Sequence, residues 1–361
     1  MIARRARRLL MCALAGCGAV VTFASPAGAH GIGGTQPTNY ETTITRVDPS
    51  VPGVHVEVVD LGNQLRLTND TRHDVVVLGY DDEPYLRVGP RGVFENQKSP
   101  ATYLNRSRVP TGPAPASADA KAAPVWRRVS DGNVATWHDH RAHWMGNDPP
   151  PEVQRAPGRH HLVDEWTVQL RAGSRLVAVH GLLEWVPPPS PWPWVALAVA
   201  TAAVVIALSR TRWWRTVLIV ALGLLVVCAT LHAFGLWQAS IAGRGTKLGE
   251  SIYAIVGIAL GLLALVWARR RGVEAAVPFV LVAAVFLLVA TGLADVGAIG
   301  HSQEPSSLPA WLARLVVTVD IGLGVGLAVG SGLRLRVLTP PNSRAGAEPP
   351  RDEEEIARVT S

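Results

Sequence analysis

Two hydrophobic regimes divide the chain. From Tyr40 to about Val186 the apolar positions recur with a period of two. Val54, Val56 and Val58 alternate with His55 and Glu57, the turn Asp60-Leu61-Gly62-Asn63 follows, and Leu65 and Leu67 resume the alternation. Asn69-Asp70-Thr71 turns again before an apolar run from Val75 to Tyr80. Pro84 to Val88 and Val93-Phe94 flank Gly89-Pro90-Arg91-Gly92, and later Trp166, Val168 and Leu170 alternate, as do Val177, Val179 and Gly181. Alternation places every second side chain on one face of a strand, and turn signals at intervals of about ten residues predict an antiparallel β-sandwich. Pro110 to Pro124, rich in Pro, Ala and Ser, reads as a long surface loop.

Beyond residue 186 the alternation stops. Val186-Pro187-Pro188-Pro189-Ser190-Pro191-Trp192-Pro193-Trp194 predicts a stiff spacer over 187–193. Apolar runs then cover 194–209, 216–237, 251–268, 275–294 and 312–332. Each is near the length that crosses hydrocarbon, the first being short, so an α-helical transmembrane bundle of about five helices is expected over 194–337. Arg210, Arg212 and Arg215 lie between the first two runs, Arg269, Arg270 and Arg271 between the third and fourth, and Arg334 and Arg336 after the fifth. These alternate loops share one side, which the positive-inside rule makes cytoplasmic. Residue 190 is then outside and residue 340 inside. Trp192, Trp194, Trp237 and Trp311 fall at the outer interface, and Trp213, Trp214 and Trp267 at the inner one.

The N-terminus fits that orientation. Arg4, Arg5, Arg7 and Arg8 precede an apolar stretch from Leu9 to Ala24, closed by Ser25-Pro26-Ala27-Gly28-Ala29. This reads as a signal peptide over 1–29, cleaved after Ala29 to leave His30 first. Leu14-Ala15-Gly16-Cys17 resembles a lipoprotein cleavage site, and an uncleaved anchor is a third possibility. The extracytoplasmic domain then covers 30–186, and the polar, Pro- and Glu-containing segment 338–361 reads as a disordered cytoplasmic tail.

Composition adds little beyond this. Apolar residues make up 48% of 361, and the mean hydropathy is only +0.20, so the membrane region is a part of the chain. The formal charge of +6 comes largely from arginines at helix ends and in the leader, and no basic stripe with interleaved aromatics points to nucleic acid. Of three cysteines, Cys12 and Cys17 fall in the leader and Cys228 in an apolar run, so the extracytoplasmic domain has no disulfide. Gly-x-Ser-x-Gly, His-Glu-x-x-His and P-loop patterns are absent, and no enzyme is indicated.

Histidine carries the candidate chemistry. Nine of the eleven lie between His30 and His180, most densely in Trp137-His138-Asp139-His140-Arg141-Ala142-His143-Trp144-Met145. His138 and His140 would share a face of a strand, and His140 and His143 a face of a helix; either backbone brings two imidazoles together, as a metal site needs. Met145 is the only methionine after the leader, and a thioether beside imidazoles suits copper, particularly Cu(I), while zinc remains compatible with imidazole alone. A free N-terminal His30 would add an α-amino group and a ring nitrogen. The competing reading is a hydrogen-bond network around Trp137 and Trp144, or a surface for a partner. In the bundle, His232, Asp295 and Asp320 are ionisable groups inside apolar runs, costly there and commonly functional. His232 and Asp295 fall near the outer ends of their helices, where they could be solvated; Asp320 lies about two turns inside. With His301 and Glu304 in the adjoining loop, they could gather in the outer half of the bundle. Gly322, Gly326 and Gly330, and Gly257 and Gly261, form stripes that let helices approach closely.

Several of these segments carry a resemblance. Thr38-Asn39-Tyr40-Glu41-Thr42, Gly79-Tyr80 with Glu83-Pro84-Tyr85-Leu86-Arg87, Ser99-Pro100-Ala101-Thr102-Tyr103-Leu104-Asn105, the Trp137-to-Gly146 segment and the proline spacer resemble a family of uncharacterised envelope proteins of high-GC Gram-positive bacteria, over about residues 35–195. That resemblance implies location and no activity. Ala29-His30 is similar to secreted copper-binding proteins that begin with histidine. Trp137-His138-Asp139-His140 looks like a fragment of a multicopper-oxidase ligand motif, but the remaining ligand segments and the cysteine are missing, so oxidase activity is not implied.

Three functions follow as expectations. The first is handling of a metal, copper foremost, by the outer domain, with metal-handling envelope proteins as partners and the bundle anchoring the domain in the lipid bilayer or passing the ion. The second is a binding or assembly module on a membrane anchor. The third is a transporter whose intramembrane ionisable groups do the work.

Overall fold

The computed structural model describes residues 35–108 and 112–338; His30, the leader and the tail lie outside them. The alternating half of the chain forms ten strands: β1 (Tyr40–Asp48), β2 (Val54–Val59), β3 (Gln64–Asn69), β4 (Val75–Leu78), β5 (Pro84–Gly89), β6 (Gly92–Asn96), β7 (Trp126–Ser130), β8 (Val134–His138), β9 (His161–Ala172) and β10 (Arg175–Trp185). They make two antiparallel sheets, one ordered β1-β10-β9-β4-β5-β6-β7 and the other β2-β3-β8. Leu65 and Leu67 of β3 and Ala135 and Trp137 of β8 pack in one core with Val75, Val77, Val88, Trp166, Val168, Leu170, Val177 and Val179 of the larger sheet. Each buried Leu or Val there contributes about 1.5–3 kcal/mol relative to exposure. The long β9–β10 hairpin turns at Gly173, in left-handed backbone at φ 63°. Gly181 faces Trp166 across that hairpin, where a Cβ would stand 2.1 Å from the indole, so the ring takes the space a side chain would fill. The segment 112–124 carries no strand or helix, as its composition predicts.

The apolar half forms five helices long and apolar enough to cross a membrane. These are α1 (Trp192–Ser209), α2 (Trp214–Ala239), α3 (Arg244–Arg271), α4 (Val273–Leu287, continued by a π-helical turn Leu288–Leu293) and α5 (Ala310–Leu338). Helix α1 takes in Trp192 and Pro193 at the end of the proline segment, because a proline in the first turn forfeits no helical hydrogen bond. The glycine stripes sit at helix contacts. A Cβ on Gly326 would stand 2.7 Å from the Val205 Cβ of α1, and one on Gly261 of α3 2.4 Å from the Val226 side chain of α2. Val199, Leu224, Val227, Phe234 and Leu263 remain exposed around the bundle, as suits contact with lipid.

Two sets of contacts fix the ends of the bundle. Arg334 donates to the carbonyls of Ser209 (2.7 Å) and Thr211, and Arg215 pairs with Glu274 at 2.5 Å, so the arginine-rich termini meet at one end. At the other end Thr38 and Gln303 exchange backbone hydrogen bonds of 3.1 and 2.9 Å, and the Ser302 amide donates to Asn39 Oδ1 at 2.9 Å. The β-domain is thereby docked on the α4–α5 connection.

Candidate functional site

The histidine motif begins on a strand and leaves it. Strand β8 ends at His138, and Asp139 to His143 form a turn. The sheet alternation that would align His138 with His140 therefore stops between them. His138 Nδ1 lies 2.9 Å from the Asn63 carbonyl and its Nε2 3.2 Å from Gln64 Nε2, so both nitrogens are engaged. His140 instead stacks on Tyr80 and meets His143 edge to face, with ring centroids 5.5 Å apart. Its Nε2 lies 3.2 Å from the Ser107 carbonyl. Met145 is half-buried beyond Trp144. Among the described residues no group of three or more His, Cys, Asp or Glu side chains is placed to hold a metal ion.

Most of the motif is locked into the fold. Asp139 is fully buried and accepts the Trp137 indole N–H at 3.0 Å and two guanidinium N–H groups of Arg141 at 2.8 Å. Arg141 also donates to the carbonyls of Gly79 and Leu78 and lies over the Tyr80 ring. A charge-assisted, bidentate pair with four guanidinium N–H groups bonded is how a buried carboxylate is tolerated. The structural network is thus centred on Asp139 and Arg141, between the tryptophans that signalled it. Trp144 donates to the Asp148 carbonyl and stacks on Tyr40.

His143 is the exception. It is buried, its Nδ1–H donates to the Trp144 carbonyl at 3.3 Å, and Nε2 has no partner. Burial pushes its pKa down to about 4, against the Trp144 carbonyl, and the charges of Arg108, His140 and His138 add to the drop. The ring is therefore neutral with an unused lone pair. It lines a cavity of about 160 Å³ with Tyr40, whose hydroxyl is also buried and unpartnered.

The bundle holds a second, different cluster. His232 of α2 is 3% exposed and its Nε2 lies 2.8 Å from Asp295 Oδ2, just past the π-helical turn. Asp320 of α5 is fully buried. Gly324 and Gly292 let the π turn and α5 approach, a Cβ on Gly324 standing 2.8 Å from Leu288, and this brings Thr291 to Asp320. The Thr291 hydroxyl lies 2.8 Å from Asp320 Oδ2 and 2.8 Å from the Leu287 carbonyl. His232 Nδ1 and Asp320 Oδ1 have no partner, and the two side chains are near enough for the charge of each to act on the other. Beside them Glu304 lies 3.1 Å from Arg314 Nε, both side chains nearly buried at 5% and 11% exposed.

Sequence reasoning places His232, Asp295, Asp320 and Glu304 in one half of the bundle, and there they meet. It misses Arg314, although an arginine four residues into the fifth helix was a visible signal. It also misses Thr291, a hydroxyl in an aliphatic run that nothing in the pattern marks. Comparison with protein-family models, curated proteins and solved structures finds no match to this chain.

Proposed function

We propose that the chain is a multi-pass protein of the plasma membrane that takes up protons from the extracytoplasmic side into a buried site of His232, Asp295 and Asp320, as the ion-handling step of a transport cycle. The orientation in this reading has the leader cleaved after Ala29, the β-domain outside and the tail inside. Its support is that the arginine-rich helix ends gather away from the β-domain.

One observation carries the reading. The Thr291 hydroxyl stands between two acceptors at 2.8 Å each, Asp320 Oδ2 and the Leu287 carbonyl, yet owns one proton. Both contacts are full two-centre hydrogen bonds when Asp320 supplies the second proton: Asp320 donates to Thr291 and Thr291 donates to Leu287. A neutral acid also suits an oxygen, Oδ1, that has no partner in an apolar bundle. Imidazole disfavours sodium, magnesium and calcium, which prefer oxygen ligands. A proton suits imidazole and carboxyl alike. The π-helical turn supplying Thr291 and leading to Asp295 is a feature found often at functional sites.

Proton flux into proteoliposomes of the full chain, driven by an imposed gradient, tests this. Wild-type flux should exceed that of protein-free vesicles, and Asp320→Asn should reduce it to that background. Equal flux in Asp320→Asn and wild type would sink the proposal.

A second reading retains copper. The edge-to-face contact of His140 with His143, and the bare Nε2 of His143, favour a Cu(I) ion held by these two rings, with His138 left in its structural bonds and Met145 and an N-terminal His30 as further candidates. Titration of the full chain with Cu(I) should then show one site lost in His143→Phe and kept in His138→Ala. Equal binding by all three proteins would dismiss it.

A further inference from the structure

We propose that the cleft between the β-domain and the bundle is the outside entrance to the intramembrane site, and that Glu304, paired with Arg314, is its gate. This deepens the proton reading and rests on it. The cleft has a volume of about 540 Å³; Glu41, Asp60 and Arg66 line it on the β-domain side, and Gln238, Ser240 and Glu304 on the bundle side. It brings polar side chains of both regions together beside Glu304, a neighbour of the buried cluster.

The gate is closed by charge more than by hydrogen bonds. Arg314 Nε is 3.1 Å from Glu304 Oε1, but its N–H is directed to the Ala298 carbonyl at 3.3 Å, and Nη2 donates to the carbonyls of His301 and Ser302 at 2.8 and 3.2 Å. Oε1 is left without a hydrogen bond. Arg314 therefore keeps its bonds to the loop whether or not Glu304 is ionised, and the carboxyl can change state without dismantling the connection. The charges that act on Glu304 come from Arg314 of α5, His232 of α2 and Asp295 past α4. Burial raises its pKa to about 7, with Asp295 adding to the rise, while Arg314 and His232 oppose it. It thus exchanges protons with the cleft near neutrality.

The transfer balances simply. A proton taken up by the Glu304 carboxylate from water in the cleft passes, directly or through water, to the bare Nδ1 of His232. Glu304 returns to a carboxylate, and the imidazolium faces Asp295. Once Asp320 has lost its proton toward the other side, the imidazolium refills it and becomes neutral again. The β-domain holds this gate, because Thr38 and Asn39 clasp Gln303 and Ser302, the two residues before Glu304. Displacement of the β-domain would pull on the gate directly.

The test uses the full chain in proteoliposomes with two variants, Glu304→Gln at the gate and Ser240→Trp to fill the cleft. Each should lower proton flux by about tenfold or more. The inflection of wild-type flux near pH 7 should vanish in Glu304→Gln. Folding is checked by the infrared carbonyl band of protonated Asp320, which both variants should keep. If both conduct like wild type while Asp320→Asn does not, the entrance lies elsewhere and the proton reading stands. If the inflection survives in Glu304→Gln, Glu304 is not the gate. If wild type conducts nothing, the proton reading fails and the entrance with it.

Discussion

Asp139 in the β-domain and Asp320 in the bundle are both fully buried carboxyl side chains, and they are treated oppositely. Asp139 accepts from an indole and from both prongs of a guanidinium fork, and no oxygen is spare. Asp320 touches one hydroxyl through one oxygen and nothing through the other. A buried acid whose bonds are complete is a fastener, fixed as a charge by its partner. A buried acid with an idle oxygen and no cation bonded to it is free to gain and lose a proton. The difference separates a carboxyl group fixed by its partners from one with an oxygen to spare.

The largest way to break this comparison is to remove each acid in turn. Asp139→Ala leaves the half-buried Arg141 without its carboxylate and the Trp137 indole without its acceptor, and should cost about 3 kcal/mol, concentrated in the β-domain. Hydrogen exchange of the strands around Leu65 and Trp137 in the full chain would register it. Asp320→Asn should stay within about 1 kcal/mol of wild type, since the amide can still donate to Thr291. If Asp139→Ala is tolerated and Asp320→Asn unfolds the bundle, the assignment of fastener and site is reversed.

A smaller effect is expected where the helices touch. Gly326→Leu puts a side chain where Val205 already stands 2.7 Å from the missing Cβ, and should destabilise the α1–α5 contact by about 1–3 kcal/mol in a detergent melt. Gly332, with open space around it, should accept alanine with no comparable loss. Equal responses would mean that the stripe does not set the packing.

The two regions should also differ in the sign of their pH dependence. His143 has its folded pKa lowered to about 4 from 6.5, so the unfolded chain binds more protons between those values. Its contribution to the β-domain is complete above about pH 6.5 and is lost as pH falls toward about 4. Glu304 has its folded pKa raised to about 7 from 4.5, so the folded chain binds more protons there, and stability near the α4–α5 connection declines as pH rises from about 4.5 to about 7. Hydrogen exchange at several pH values should show opposite slopes in the two regions, flattened in His143→Phe and in Glu304→Gln respectively. Slopes of one sign in both regions, or slopes that persist in the variants, would contradict these assignments.

Much of the architecture was legible because it rests on periodicity. The alternation at Val54 to Leu67 and at Trp166 to Gly181 is local, and so are the apolar runs and the glycine stripes. The site was legible only in part. His232, Asp295 and Asp320 announce themselves because charge is rare in apolar runs. Their meeting depends on a π-helical turn and on Gly292 and Gly324, which no spacing rule foretells. The geometry of the histidine motif was hidden for a related reason: whether His138 and His140 share a face depends on where strand β8 ends, and it ends between them. The Asp139–Arg141 pair ends the alternation, and its partners at Leu78 and Gly79 are remote in sequence.

The central claim, that Asp320 holds a proton shared with Thr291, is tested most directly by infrared spectroscopy of the full chain in lipid at neutral pH. A carbonyl band of a protonated carboxylic acid should be present, should shift in Thr291→Val as its hydrogen bond is lost, and should be absent from Asp320→Asn. A spectrum without that band, or with the same band in Asp320→Asn, would show that Asp320 is not the proton-bearing acid and would contradict the account.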